Sequence, residues 1–199
     1  MGGASRENIV VGNGLDRSAS EVISGSRIYM KEVSGLDLLN QLQVEMHKEK
    51  LYFNSKPILI GGMAMEYYGM RKSGADIDFV VTDSDYQRLA SKHPDCLKDL
   101  WGDLGVVVGE FEIWRSIALL DYDFYLKDAV DAGTVFVVSL DRLLFMRVIA
   151  MDVDKYMNDL HLMKAFYYEN FRNKKYLQEA EKHTTSYQKH GGAIFGGRY

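Results

Sequence analysis

The sequence is short of several features that sort proteins into classes. Among 199 residues there is one cysteine, Cys96, which excludes an internal disulfide framework and a zinc centre of several thiolates. A half-buried helical thiol is the expectation for it. No stretch approaches 18 apolar residues, and the opening MGGASRENIVVGNG lacks the charged-then-apolar order of a secretory leader. Internal repeats and low-complexity tracts are absent. The five histidines, His47, His93, His161, His183 and His190, show no His-x-x-x-His spacing and read as surface or packing residues rather than ligands. What is present is ordinary for a soluble globular protein: 47% apolar and 26% charged residues at a net charge of −4. The length is that of one domain with at most a small appended lobe. The expectation is a soluble, cytoplasmic protein without membrane attachment.

Charge is unevenly spread. Residues 74–160 hold 17 Asp/Glu against 8 Lys/Arg, a net of −9, whereas 164–199 hold 7 Lys/Arg against 3 Glu, a net of +4. An acidic middle is unusual for a plain nucleic-acid binder but natural where carboxylates hold cations. A basic tail can meet phosphate, although a solvated helix face is the commoner origin of such a run.

Residues 1–33 are Gly/Ser-rich and read as an N-terminal arm. Ser34 caps a predicted helix to about Tyr52, with Leu38, Leu39, Leu42 and Met46 on one stripe. Pro57 opens the apolar run Ile58-Leu59-Ile60, a short buried strand broken by Gly61-Gly62, and Met63–Tyr68 reads as a helix ending at Gly69. Ile77–Val81 is a second strand, followed by a helix from Tyr86 to about Lys92 that Pro94 closes. Val106–Val108 is a third strand with a turn at Gly109, Ile117–Leu126 a fourth carrying Asp121 and Asp123, and Val135–Val138 a fifth. Ser139 caps Leu140–Ala150, helical stretches near 153–168 and 172–188 follow, and 191–199 read as a flexible tail. The fold class is therefore α/β (α+β), with a mixed β-sheet core over 34–139 and a helical C-terminal part over 140–190.

The stretch from Pro57 to Val81 carries the chemistry. A buried strand delivers two glycines, Gly61 and Gly62, to a helix start, where the backbone can turn tightly and an anion can approach the amide N–H groups. Arg71-Lys72-Ser73 follows, able to hold phosphate oxygens, and Asp76-Ile77-Asp78 enters the next strand. Residues two apart on a strand share a face, so these carboxylates can grip Mg²⁺ between them, and a second ion nearby suits in-line phosphoryl displacement. Ile77 points the other way and anchors the strand.

The order of apolar residue, Gly-Gly, helical spacer and Asp-x-Asp resembles the signature of the nucleotidyltransferase fold superfamily, shared by polymerase beta, antibiotic nucleotidyltransferases and minimal nucleotidyltransferases. Here it reads Ile60-Gly61-Gly62, thirteen residues, Asp76-Ile77-Asp78. The detail Gly-x-Arg-x-Ser-x-x-Asp-x-Asp from Gly69 to Asp78 is most similar to nucleotidyltransferase toxins of the abortive-infection type. Leu140–Arg147 and Lys155-Tyr-Met-Asn-Asp159-Leu160 fit the order of those proteins, with Arg147 where relatives usually carry Lys, a fork in place of a point charge. The resemblance spans about residues 55–165.

That resemblance implies a nucleotidyltransferase core, a nucleoside triphosphate substrate and Mg²⁺, with two ions expected. Its reaction is transfer of a nucleoside monophosphate to an acceptor hydroxyl with release of pyrophosphate. RNA, a protein or a small molecule are the acceptors it suggests, and an antitoxin is the partner. Asp76 and Asp78 become catalytic metal ligands, and a third carboxylate is required on a neighbouring strand. Asp123, followed by Phe-Tyr-Leu, matches the apolar-Asp-apolar pattern best, and Asp121 fits nearly as well. Gly61, Gly62 and Ser73 cradle phosphates, Arg71 or Lys72 meets charge on the leaving pyrophosphate, and Arg147 and Lys155 complete the nucleotide-binding set. The alternative is a catalytically degenerate fold kept as a nucleotide-binding or regulatory module.

Other features carry less. Gly12-Asn-Gly14 lacks the third glycine of a dinucleotide fingerprint, since position 17 is Arg17. Tyr67-Tyr68, Tyr122, Phe124-Tyr125 and Phe166-Tyr167-Tyr168 could stack a base but fit core packing better. Lys155 and Asp159 lie one helical turn apart and serve equally as a surface ion pair or as site residues.

Overall fold

The computed structural model describes Gly35, residues 37–170 and Lys182. The predicted N-terminal arm, the cap at Ser34, the tail over 191–199 and, Lys182 apart, the helix over 172–188 lie outside them. In chain order the elements are α1 (37–48), β1 (Ile58–Leu59), α2 (Gly61–Tyr67), β2 (Ile77–Val80), α3 (Asp83–Lys92), β3 (Leu97–Leu100), β4 (Asp103–Val108), β5 (Phe111–Trp114), α4 (Tyr122–Leu126), β6 (Val130–Asp131), β7 (Phe136–Val137), α5 (Leu140–Ile149) and α6 (Asp154–Asn170). The seven strands form one sheet in the order β3-β4-β5-β2-β1-β7-β6, parallel at β2–β5 and β1–β7 and antiparallel elsewhere. The architecture is a mixed-sheet α/β fold.

The predicted stripe on α1 faces inward, with Leu38, Leu42 and Met46 buried. The helix stops before Tyr52 because Lys50 turns into the left-handed region at φ 53° and Leu51 N–H bonds back to the Met46 carbonyl at 2.9 Å. That closure satisfies the terminal carbonyls and tucks Leu51 into the core. At the centre of the sheet both faces are covered: Ile58, Leu59, Phe79 and Val80 are all buried, which is why β1 reads as an unbroken apolar run. Register places Ile77 and Phe79 opposite Phe111 and Ile113, with the Phe79 and Phe111 rings stacked at 5.6 Å. Asp78, on the other face, is paired with Glu112. Leu143 and Met146 of α5 and Met163 of α6 belong to the same core as the sheet.

Four expectations need correction. Strands β3, β5 and β6 were not anticipated, and β5 follows directly from the predicted turn, since Gly109 at φ +59° closes a β4–β5 hairpin. Residues 117–126 are not a strand. Ala118 and Leu119 make a left-handed turn at φ 54° and 60°, and Asp121 then caps α4 by accepting from Phe124 N–H at 3.1 Å. A local capping bond has overridden apolar alternation there. Cys96 lies exposed at the end of a 3-10 turn, Pro94–Cys96, rather than half-buried on a helix. The predicted helix at Tyr86 begins earlier, at Asp83, because Thr82 caps it. No helix among the described residues is long and apolar enough to cross a membrane.

Asp85 in the first turn of α3 is the polar keystone of one end of this fold. It is 0% exposed and accepts from Asn54 N–H at 2.9 Å, Ser55 N–H at 3.1 Å, the Thr82 hydroxyl and Arg88. Burial works against its charge, but the bonds from Arg88, Asn54, Ser55 and Thr82 outweigh it and hold the carboxyl below its ordinary pKa. Asp85→Ala strands two backbone donors and is expected to destabilise the protein by about 3 kcal/mol in urea unfolding. Because the folded pKa is depressed, this stability is present above the unfolded value and is lost as pH falls through the folded one. Asp85→Ala is therefore expected to flatten the acid limb of the stability curve.

Candidate functional site

The site grows from the junction of β1, α2 and β2. Ile60 continues the ladder beyond β1 by donating its N–H to the Asp78 carbonyl at 3.0 Å, and the chain turns at Gly61 with φ +67°. The Asp78 carboxylate lies directly against the Gly61 Cα, so a Cβ at position 61 would collide with Asp78 Oδ2. Glycine is required there twice over, by its backbone angle and by the carboxylate beside it. Ile60, the N-cap of α2, supplies no side-chain cap to the first-turn amides. Asp76 sits exposed just before β2, while Asp78 lies within it and is half-buried.

Burial raises the Asp78 pKa, and the negative charges of Glu112 and Asp76 raise it further. Hydrogen bonding from the Trp114 side chain and the positive charge of Arg147 work the other way without cancelling the rise. The fold thus holds the Asp78 carboxylate in a place where its charge is penalised, which is a mark of functional sites.

The loop between α2 and β2 is fixed by two acids. Glu66 accepts from Lys72 Nζ at 2.6 Å and from Ser73 N–H and Oγ at 2.8 and 2.7 Å, and these bonds hold its carboxyl below the usual value despite burial. Asp159 of α6 takes Arg71 in a bidentate pair, Nε at 2.6 Å and Nη2 at 3.0 Å. Arg147 Nε lies 2.9 Å from the same carboxylate but off the hydrogen-bonding direction, so this is an ion contact rather than a hydrogen bond. Asp159 and Arg147 are both buried.

One cavity of about 450 Å³ collects Gly62, Arg71, Gly74, Asp76 and Asp78 from the sheet side and Lys155, Asn158, Asp159 and Leu162 from α6. Those four α6 positions fall at helical spacing on one stripe. Of the predicted site residues, Gly62, Arg71, Asp76, Asp78 and Lys155 line this space, Gly61 packs beneath Asp78, and Arg147 stands behind Asp159. Lys72 and Ser73 do not line it, being engaged by Glu66. Sequence reasoning missed Glu66, Asn158, Leu162 and Trp114. For Asn158 and Leu162 the stripe with Lys155 and Asp159 was the available signal. The tyrosines behave as packing residues: Tyr68 donates to the Val138 carbonyl at 2.7 Å, and Tyr122 to the Lys56 carbonyl at 2.7 Å.

The third carboxylate is a correction of place. Asp121 and Asp123 stand around the start of α4 and line a separate cavity with Thr82, Asp83 and Ser84 at the carboxyl end of β2. Asp76 and Asp78 lie toward the amino end. The acid on the strand neighbouring Asp78 is Glu112, directly opposite it in the β2–β5 register and paired with Lys98 Nζ at 2.8 Å. Among the described residues no three His, Cys, Asp or Glu side chains gather into a ready cation cage. Mg²⁺ in phosphoryl chemistry takes one or two carboxylates, with water and substrate oxygens completing its shell, so the hard oxygen donors of Asp76 and Asp78 fit it.

Comparison with family models, curated proteins and solved structures gives no match to this chain.

Because the folded pKa of Asp78 lies above its unfolded value, the charged group costs stability above the folded pKa, and the cost disappears as pH falls to the unfolded one. Asp78→Asn is expected to raise the thermal midpoint of the metal-free protein at pH 7, with the gain shrinking towards pH 4. The same variant is expected to lose at least tenfold in Mn²⁺ affinity by paramagnetic titration. A midpoint lowered at pH 7 would contradict the electrostatic account of this carboxylate.

Proposed function

We propose that this protein is a Mg²⁺-dependent nucleotidyltransferase that moves a nucleoside monophosphate from a triphosphate to an acceptor hydroxyl and releases pyrophosphate. The observation that carries the reading is the single cavity in which Asp76 and Asp78 face Gly62, Arg71 and Lys155. It brings two carboxylates able to hold a cation into one space with groups able to hold phosphate. The resemblance of the Gly61–Asp78 stretch to the nucleotidyltransferase superfamily supports the same conclusion. Bound Mg²⁺ would neutralise phosphate charge and orient the reacting phosphoryl group. Asp76 and Asp78 would hold it, and Glu112 replaces Asp123 in this proposal as the neighbouring acid able to share a second ion or accept the acceptor's proton. Gly62 N–H, Arg71 and Lys155 bind the phosphates, while Arg147 fixes Asp159 from behind. The acceptor is RNA, a protein or a small molecule, and a toxin-like role with an antitoxin partner belongs to the same proposal.

One observation favours a second reading, a catalytically degenerate nucleotide-binding module: Glu112, the only acid on the strand beside Asp78, is neutralised by Lys98. Incubation with each labelled nucleoside triphosphate, Mg²⁺ and total cellular RNA separates the two. Label on RNA or on protein, absent with Asp76→Ala/Asp78→Ala, is the expected outcome. Nucleotide binding that needs these aspartates but transfers no label to any acceptor supports the module instead, and no binding at all defeats both.

A further inference from the structure

With the carboxylates assigned to the cation and Gly62, Arg71 and Lys155 to phosphate, two cavity-lining side chains are left without a task. Asn158 and Leu162 lie one turn apart on α6, on the same stripe as Lys155 and Asp159. Asn158 is exposed and its amide has no hydrogen-bond partner among the described residues, while Leu162 keeps 37% of its surface open on the side of α6 that lines the cavity. The remaining acid of α6 in the cavity, Asp159, is taken up by the bidentate pair with Arg71.

Resting on the nucleotidyltransferase reading, we infer that Asn158 and Leu162 form the nucleobase subsite, Leu162 packing against the face of the base and Asn158 reading its edge. A primary amide offers one donor and one acceptor side by side and so matches a ring edge that presents the complementary pair. Adenine, with the N6 amine beside N7, is the base for which this bidentate match is best established. Phosphate, cation and base then occupy one space of about 450 Å³, within the range of small-molecule sites. Lys155 stands one turn before Asn158, so the phosphate-binding and base-reading groups of α6 follow each other along the helix in the order in which a nucleotide presents them.

The test is equilibrium binding of the four α,β-methylene nucleoside triphosphate analogues and of inorganic tripolyphosphate, each with Mg²⁺, to the full chain. The wild type is expected to bind the adenine analogue at least tenfold more tightly than tripolyphosphate and more tightly than the other three. Asn158→Ala is expected to erase the preference among bases while leaving tripolyphosphate affinity unchanged. Asn158→Asp, an acceptor-only edge, is expected to move the preference towards guanine, whose N1 and N2 groups both donate. Leu162→Ala is expected to weaken all four analogues several-fold together. Circular dichroism checks that these exposed positions leave the fold intact. Analogues that bind no better than tripolyphosphate, or a base preference that survives Asn158→Ala, overturn the inference while leaving the phosphate site standing. A wild type that binds neither analogues nor tripolyphosphate overturns the nucleotide reading itself.

Discussion

The contact on which the site depends is that between the Asp78 carboxylate and the Cα of Gly61. A carboxylate in β2 fills the volume in which any residue other than glycine would place its Cβ. That single packing constraint sets the sharp turn out of β1, the start of α2 and the depth at which Asp78 is held. It also accounts for the acid being half-buried and for its proton being bound more tightly than usual: the Gly61 backbone against which the carboxylate packs keeps water from that side of it. The pairing of Asp78 with Glu112 across parallel strands adds like charge from a direction the fold cannot relax, because β2 and β5 are fixed at the middle of the sheet.

The second wall of the cavity comes from far along the chain and is tied on by one carboxylate. Asp159 joins Arg71, 88 residues away, to Arg147 on α5, so the loop after α2 and the two C-terminal helices meet at one buried point. An acid between two guanidiniums leaves a positive surplus, and Arg147 extends it to Asp78, where it offsets part of the crowding of negative charge. Breaking a buried pair of this kind leaves an uncompensated charge, which makes the link costly to lose. The α6 stripe that lines the cavity with Asp76 and Asp78 is therefore tied to the loop after α2 through Asp159.

Local signals were legible in the sequence where they were also decisive. The apolar run at Ile58, the Gly-Gly break, the cap at Ser139 and the stripe on α1 all become the structures their chemistry suggests. The elements that were missed are those whose formation depends on partners. Strand β3 is an exposed edge with Leu97 and Leu100 largely open, and β6 is two residues long, so neither carries a burial pattern of its own. Residues 117–126 mislead for the opposite reason: alternation is plain, but the Asp121 cap and the Ala118–Leu119 turn are stronger local terms. The site follows the same division. Asp76, Asp78 and Gly62 lie together because one short stretch carries them, whereas Glu112 becomes a neighbour of Asp78 only through a strand pairing that no motif announces.

The acidic middle of the chain resolves into two kinds of carboxylate that composition cannot separate. Asp85 is wholly buried yet holds its charge easily, because two backbone amides, a hydroxyl and a guanidinium converge on it. Glu66, just before that stretch, belongs to the same kind, gripping Ser73 and Lys72. Their negative charge is answered from within the protein, and they stabilise it. Asp78 is the other kind. It is less buried than Asp85 but has like charge for neighbours, and its pKa moves in the opposite direction. The two acids therefore differ in the direction of their shift more than in their exposure: partners inside the protein hold Asp85 charged, while burial and the crowding of negative charge make Asp78 hold a proton more tightly.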